Sequence, residues 1–448
     1  EDTIVAISTP LGSGGVGVIR ISGDKALSIA SEIIANFPSE IVPRRVYHGW
    51  VVYRAKVIDE VLYYYFKSPE SYTGEDVIEI SCHGGKTLLL YILDVIVEKG
   101  ARIAERGEFT RRAFLNRKID LTQAEAILDL INAKTPTAVE AFSPTLSGKL
   151  SENIRALRGR LIDLLATLEA QIDFCEDIES VSAGQILEQI DGAMAQIDKL
   201  LRASDYGRVL REGVRVAIIG KPNVGKSSLL NALLGMDRAI VTDEPGTTRD
   251  TIEEIVNING LPIMVIDTAG LRHPKSKAEE FGVDKARREI VGSELVLVVI
   301  DASLGLSDED YMVLNETRMA KRIIALNKID LGEKVSLDGQ VKGDPLVRVS
   351  ALTGVGIDDL KENIYDLVLG GEGRVSEDLL LINSRHKQCL QRAVEALARA
   401  KESLVKGLTD EFIAFDIKEA TIALGEVSGE VVSEEVINEI FEKFCVGK

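Results

Sequence analysis

Apolar positions fall along this chain in three successive patterns. Up to about residue 118 they come in short runs rich in β-branched and aromatic residues: Gly15-Val-Gly-Val-Ile-Arg-Ile-Ser22, Glu60-Val-Leu-Tyr-Tyr-Tyr-Phe66 and Val77-Ile-Glu-Ile-Ser-Cys82. Such runs predict strands. Lys86 to Glu98 predicts a helix, and the single Trp50 is expected in a core. From about residue 119 the period lengthens. Leu150, Ile154, Leu157, Leu161, Leu164, Leu168 and Ile172 recur at helical spacing, as do Ile186, Ile190, Ala193, Ile197 and Leu201. Thr122-Gln-Ala-Glu125 predicts a capping box that opens one of these helices. The apolar stripes are read as packing inside a bundle.

Between 212 and about 370 the pattern changes again. Val214-Arg-Val-Ala-Ile-Ile219, Ile263-Met-Val-Ile266, Leu295-Val-Leu-Val-Val-Ile300, Arg322-Ile-Ile-Ala-Leu326 and Leu346-Val-Arg-Val349 are short and almost continuously apolar. Strands buried on both faces of a parallel sheet have this composition. Gly370-Gly-Glu-Gly373 breaks the pattern, after which Leu380 to Val405, Glu411 to Leu424 and Ser433 to Cys445 read as helices. The expected architecture is an α/β unit (1–118), then a helical domain in two parts (119–211 and 371–448). A mostly parallel α/β domain (212–370) is inserted between those parts.

At 448 residues and 45% apolar content the chain can bury two or three cores. No apolar run approaches the roughly 20 residues of a membrane span. The opening Glu1-Asp-Thr-Ile-Val-Ala6 has neither the basic and apolar regions of a signal peptide nor the look of a transit peptide. Cys82, Cys175, Cys389 and Cys445 lie far apart with no metal-type spacing, so reduced thiols in a cytoplasmic protein are expected. The net charge of −18 argues against broad electrostatic coating of nucleic acid while leaving room for a local basic face.

The strand ending at Ile219 is followed by Gly220-Lys-Pro-Asn-Val-Gly-Lys-Ser-Ser228 and then by Leu229-Leu-Asn-Ala-Leu-Leu234, a helix that Gly235 can end. Backbone N–H groups from Asn223 through Val224, Gly225 and Lys226 to Ser227, with Ser228 behind them, can wrap a phosphate, and the helix N-terminus adds positive potential. Lys226 is spaced to reach β- and γ-phosphates and Ser227 to bind Mg²⁺. Further motifs follow in order. Gly246-Thr-Thr-Arg-Asp250 offers Thr247 and Thr248, the latter as a Mg²⁺ ligand sensitive to the γ-phosphate. Asp267-Thr268-Ala269-Gly270 ends a strand, with Asp267 toward Mg²⁺ and the Gly270 N–H toward the γ-phosphate. In Asn327-Lys328-Ile-Asp330, Asp330 can accept two hydrogen bonds from guanine, a donor pair that adenine lacks. Ser350-Ala351-Leu352 suits a backbone contact to guanine O6. Together they predict GTP binding. The residue after Gly270 is Leu271, where many GTPases carry a water-orienting Gln, so catalysis must come from elsewhere; the loop to Gly282 offers His273, Glu279 and Glu280.

The domain order, the loop Gly220–Ser228, Gly246-Thr-Thr-Arg-Asp250 and the terminal Phe444-Cys-Val-Gly-Lys448 resemble the MnmE (TrmE) family of tRNA-modification GTPases over essentially the whole chain. Gly74-Glu-Asp-Val-Ile-Glu79, His83-Gly-Gly85 and Arg112 to Leu121 also look like family segments. The resemblance implies an N-terminal folate-binding domain that also dimerises, a helical domain and an inserted GTPase domain. It implies a flavin-dependent partner, MnmG (GidA), that carries the FAD in a heterotetramer-type complex. It further implies modification of C5 of the wobble uridine of certain tRNAs, with 5,10-methylenetetrahydrofolate or 5-formyltetrahydrofolate bound by Arg20, Glu79, Lys118 and Lys448. Cys445 matches a cysteine associated with the modification; the alternative is a buried thiol beside Phe441 and Phe444. K⁺ would be held by Asn223 with Thr242, Glu244 and Thr247, and Glu279 would position or activate the water. Pro274 departs from the expected loop and bears on how far Glu279 reaches. Two other classes compete. A ribosome-assembly GTPase shares the motifs but usually carries a basic RNA-binding appendage. A folate-dependent aminomethyltransferase with a regulatory GTPase would turn over without a partner.

Overall fold

Strands Ile4–Ile7 (β1), Val16–Ser22 (β2), Ile34–Ala35 (β3), Val46–Tyr53 (β4), Lys56–Phe66 (β5), Val77–His83 (β6) and Arg102–Ile103 (β7) form one sheet in the order β3-β4-β5-β6-β2-β1-β7. Neighbours are antiparallel except β1 with β7. These coordinates are a computed structural model that describes residues 2–173, 181–235, 254–266, 290–335, 341, 343–370 and 380–448. The chain forms two compact units, one of Glu1–Leu128, Thr145–Ile190 and Arg392–Lys448, the other of Asp129–Pro144 and Asp191–Gln391.

In the first unit, strand alternation decides which side chains meet. Ile19 and Ile21 of β2 stand opposite Ile80 and Ile78 of β6, with Tyr63 and Tyr65 of β5 beside them. This face is closed by Ile29 and Ile33 of the helix Ala26–Ile33 and by Leu89, Ile92 and Ile96 of the helix Lys86–Glu98. Each such side chain contributes about 1.5–3 kcal/mol when fully buried. The opposite face carries Arg20 and Glu79, paired in register, and leaves Val46 and Leu62 exposed. Trp50 belongs to that outward face and is 36% exposed, not in the core: its β4 neighbours Tyr47 and Gly49 take the inward positions, and Trp50 packs edge-on against His48.

Helix Lys149–Asp173 lays its stripe of Leu150, Ile154, Leu157, Leu161, Leu164 and Leu168 along the helix Asp410–Ser428, which answers with Ile413, Ile417, Leu424 and Val427. Leu121 and Ala124 meet Ile437, Ile440, Phe441 and Phe444 in a separate apolar cluster. The capping box lies two residues before the expected one. Asp120 Oδ1 accepts from the Gln123 N–H at 3.0 Å while Gln123 Oε1 accepts from the Asp120 N–H at 3.0 Å, and Thr122 instead contacts Ser151 inside the protein. An Asp followed three residues later by Gln satisfies the same donors, and it leaves Leu121 free to be buried.

In the second unit, Val214–Ile219 (β8), Glu254–Ile258 (β9), Leu261–Val265 (β10), Leu295–Asp301 (β11), Arg322–Asn327 (β12) and Leu346–Arg348 (β13) form a sheet ordered β13-β12-β11-β8-β10-β9. It is parallel but for the antiparallel edge strand β9, which the apolar pattern did not reveal. Both faces are covered, one by Leu229, Leu230, Leu233, Leu360 and Ile364 and the other by Val313 and Leu314. Among the described residues no helix is long and apolar enough to cross a membrane.

Candidate functional site

The C-terminal ends of β8, β11 and β12 open onto one set of loops. Gly220 follows β8, and a Cβ there would lie 2.4 Å from the Val299 carbonyl oxygen, so only glycine lets the chain turn beside β11. Asn223 (φ 65°) and Gly225 (φ 96°) then reverse the backbone before the helix Lys226–Leu234 begins. That leaves first-turn N–H groups facing the loop's hollow, where an anion is favoured. Lys226 Nζ donates to the carbonyls of Gly220 (2.7 Å) and Lys221 (2.9 Å), which holds the ammonium over the loop.

Asn327 ties the site together from beneath. It is buried, donates from Nδ2 to the Val224 carbonyl at 2.8 Å and accepts from the Ala351 N–H at 3.0 Å. One amide thus fixes the phosphate loop against the loop that begins at Ser350. Lys328, at φ 65°, donates from Nζ to the Asn223 carbonyl (2.7 Å) and to Asp301 (2.7 Å). Burial alone would raise the Asp301 carboxyl, but the bonds from Lys328 and Ser303 outweigh it and hold the group below the usual carboxylate range. Ser350 Oγ donates to Asp330 Oδ1 at 2.6 Å, orienting an exposed carboxylate. Leu352 is 85% exposed at the rim. The structure therefore brings together Asn223, Val224, Gly225, Lys226, Asn327, Lys328, Asp330, Ser350 and Ala351, with Ser227 and Ser228 in the first helical turn. Thr242, Glu244, Thr247, Thr248, Asp267, Thr268, Ala269, Gly270, Leu271, His273 and Glu279 lie outside the described residues.

A second constellation lies on the outward face of the first unit's sheet. Arg20 Nε donates to Glu79 Oε1 at 2.7 Å, and the guanidinium stacks over Tyr72 (5.1 Å) and Phe109 (5.5 Å). The last residues of the chain are fastened beside this pair. Gly107 N–H donates to the Cys445 carbonyl (3.3 Å), Arg106 pairs with Val446, and Phe109 N–H donates to the Lys448 carbonyl (3.1 Å). Burial and the nearby Arg20 charge push the Lys448 ammonium below its ordinary value, against the pull of Glu79 and Cys445. Lys118 Nζ donates to the Pro69 carbonyl at 2.9 Å, on the loop that carries Tyr72. The Cys445 thiol is exposed, while Phe441 and Phe444 are buried without it.

Sequence reasoning missed Tyr72 and Phe109, whose role emerges only from the fold. It also missed His83 Nδ1 against the buried Asp59 carboxylate at 2.6 Å, a contact that raises the histidine's pKa. The two partners are 24 residues apart, and no spacing rule links them.

A parallel sheet with a glycine-framed phosphate loop, and an Asn-Lys-Ile-Asp loop locked to it by Asn327, define a P-loop GTPase. Comparison with known proteins narrows the class. The MnmE helical domain model matches residues 121–445, and the model of the GTP-binding protein TrmE N-terminus matches residues 3–118. The tRNA modification GTPase MnmE of Acetivibrio thermocellus is 45% identical over 100% of this chain and 99% of its own. Those of Clostridioides difficile and Natranaerobius thermophilus are each 43% identical over 100% of this chain and 99% and 100% of theirs. The chain belongs to the MnmE family of tRNA modification GTPases.

Proposed function

We propose that this GTPase couples K⁺-dependent GTP hydrolysis to modification of C5 of the wobble uridine of certain tRNAs. It acts in the cytoplasm as a homodimer with a flavoprotein partner of the MnmG type. The domains assigned from the sequence carry the division of labour: 1–118 for folate and dimerisation, 212–370 for GTP, and 119–211 with 371–448 as the helical frame. Mg²⁺ would be held through Ser227 and Thr248, and K⁺ by Asn223 with Thr242, Glu244 and Thr247, adding positive charge where phosphoryl transfer needs it. Glu279 would position the attacking water, since Leu271 cannot.

The observation that best supports the folate reading is the meeting of Glu79, Arg20 and the chain's last residue. A carboxylate that can accept pterin N–H donors stands among cations and two aromatic rings, Tyr72 and Phe109. Bound tetrahydrofolate would supply the one-carbon unit; the chain's residues bind and orient it. The exposed Val46, Trp50 and Leu62 on the same sheet face support dimerisation through this domain. Family membership over the full length favours this reading above a ribosome-assembly role.

Titration of the full chain with 5-formyltetrahydrofolate tests the proposal. Saturable binding that Glu79→Ala and Arg20→Ala weaken at least tenfold is expected. Undetectable binding by the folded wild type would contradict it.

A further inference from the structure

We infer that the cleft beside Lys118, with the arginine ridge leading into it, is the surface on which RNA docks, a looped-out base entering the cleft and backbone phosphates lying along the ridge. The inference rests on the reading of tRNA as the substrate. The cleft has a volume of about 730 Å³ and is framed by the ends of five helices of the first unit. That is within the roughly 300–1,000 Å³ range of sites for small-molecule-sized groups, so it admits a nucleotide and excludes a helical stem. RNA loops are recognised by drawing unstacked bases into such pockets while cations hold the backbone.

The distribution of charge supports this division. Inside, Arg117, Lys118 and Arg155 are matched by Asp120, Glu152 and Glu430. Arg155 is already held by Asp120 (3.0 Å) and Glu430 (3.2 Å). A neutral wall with fixed donors, flanked by Phe114 and Leu115, suits an uncharged base. Along the segment that leads into the cleft, the chain's acidity reverses. Residues 99–118 hold seven Lys or Arg against two Glu, in a protein of net charge −18. Arg102 and Arg112 are committed to Asp2, Glu75 and Glu108, and Lys99 to Glu32. Arg106 is exposed, and so is Arg117, the lining residue at which the segment meets the cleft. Arg111 stands one helical turn before Leu115, on the side of the helix that meets the cleft. The same segment carries Phe109 beneath Arg20, so RNA on the ridge lies next to the proposed one-carbon site.

The test is fluorescence anisotropy of a 17-nucleotide anticodon stem-loop RNA with uridine at the wobble position, titrated with the full chain between 50 and 200 mM KCl. Each lost phosphate contact flattens the dependence of log K on log salt by about 0.7–1. The double variant Arg106→Gln/Arg117→Gln should bind roughly tenfold more weakly, with the slope reduced by about two. Glu152→Lys should bind more tightly than wild type, an outcome that misfolding cannot mimic. Neither variant should alter affinity for 5-formyltetrahydrofolate. RNA bound by wild type and by all variants with the same affinity and slope would overturn the docking surface and leave the tRNA reading standing. No RNA binding by wild type at 50 mM KCl would overturn both.

Discussion

Gly447→Ala should unseat the C-terminal tail and weaken folate binding without unfolding the protein. Gly447 has φ 99°, a conformation that costs a residue with a side chain roughly 1–2 kcal/mol. Its Cβ would lie 2.3 Å from the Ile7 carbonyl oxygen, a backbone atom of β1 that cannot step aside. Against this stand two tail hydrogen bonds, Gly107 N–H to Cys445 O and Phe109 N–H to Lys448 O, together worth about 1–3 kcal/mol net. Strain plus the clash matches or exceeds that, so the last residues leave and take Lys448 with them. Losing a charge-assisted contact of about 1.5–3 kcal/mol predicts folate affinity lowered roughly 10–100-fold. Phe441 and Phe444 remain packed, so the melting temperature should hardly move. The assay is calorimetric titration with 5-formyltetrahydrofolate, paired with amide exchange at Gly107 and Phe109, whose protection should fall. Gly407→Ala is the control: φ is 68° there, with no atom within 4 Å of the added Cβ, so folate affinity should be unchanged. A Gly447→Ala protein with wild-type affinity and intact amide protection would refute this reasoning.

Other outcomes follow from the same geometry. Asp330→Asn should weaken GTP roughly 10²–10⁴-fold by removing two charge-assisted bonds, and it should admit xanthosine triphosphate; equilibrium titration with both nucleotides checks it. Replacing K⁺ by Na⁺ should slow hydrolysis severely, and equal rates in the two salts would remove the proposed role of Asn223. Glu279→Ala should cost roughly 10²–10⁴-fold in single-turnover hydrolysis with little change in nucleotide affinity, while Glu280→Ala should be near neutral; the reverse result would shift the switch loop's register by one. Asp59→Asn should return the raised His83 pKa toward 6.5, readable by NMR. Because the folded pKa is raised, the pair's contribution is complete below the unfolded value and is lost as pH rises through the folded one.

Much of the second unit was legible because strands buried on both faces leave unbroken apolar runs. Val214–Ile219 matches its expected limits, and the Asn327 motif falls where β12 ends. The edge strand β9 was not, since a strand with one neighbour mixes Glu254 and Asn257 with its apolar residues. The first unit hid more. Trp50 was misplaced because its face is decided by strand register, which a single aromatic residue does not reveal. The helix Glu108–Leu115 escaped notice because Arg112 and Glu108 are buried there as an ion pair (2.9 Å), so charge stands where an apolar stripe would announce a helix. The phosphate loop needed no fold to be read, because its chemistry depends on local spacing. Arg20, Glu79 and Lys448 needed the resemblance first and the fold second, since the last two are separated by most of the chain.

The central claim, a GTPase whose cycle serves tRNA wobble-uridine modification, is tested most directly by mass spectrometry of tRNA nucleosides. The tRNA would come from a bacterial strain that lacks its own member of the family and carries this chain on a plasmid. Wild type should restore C5-modified uridine, and Lys226→Ala, which removes the cation held over the phosphate loop, should leave unmodified uridine at the wobble position. Full modification in the uncomplemented strain, or equal restoration by Lys226→Ala, would contradict the account.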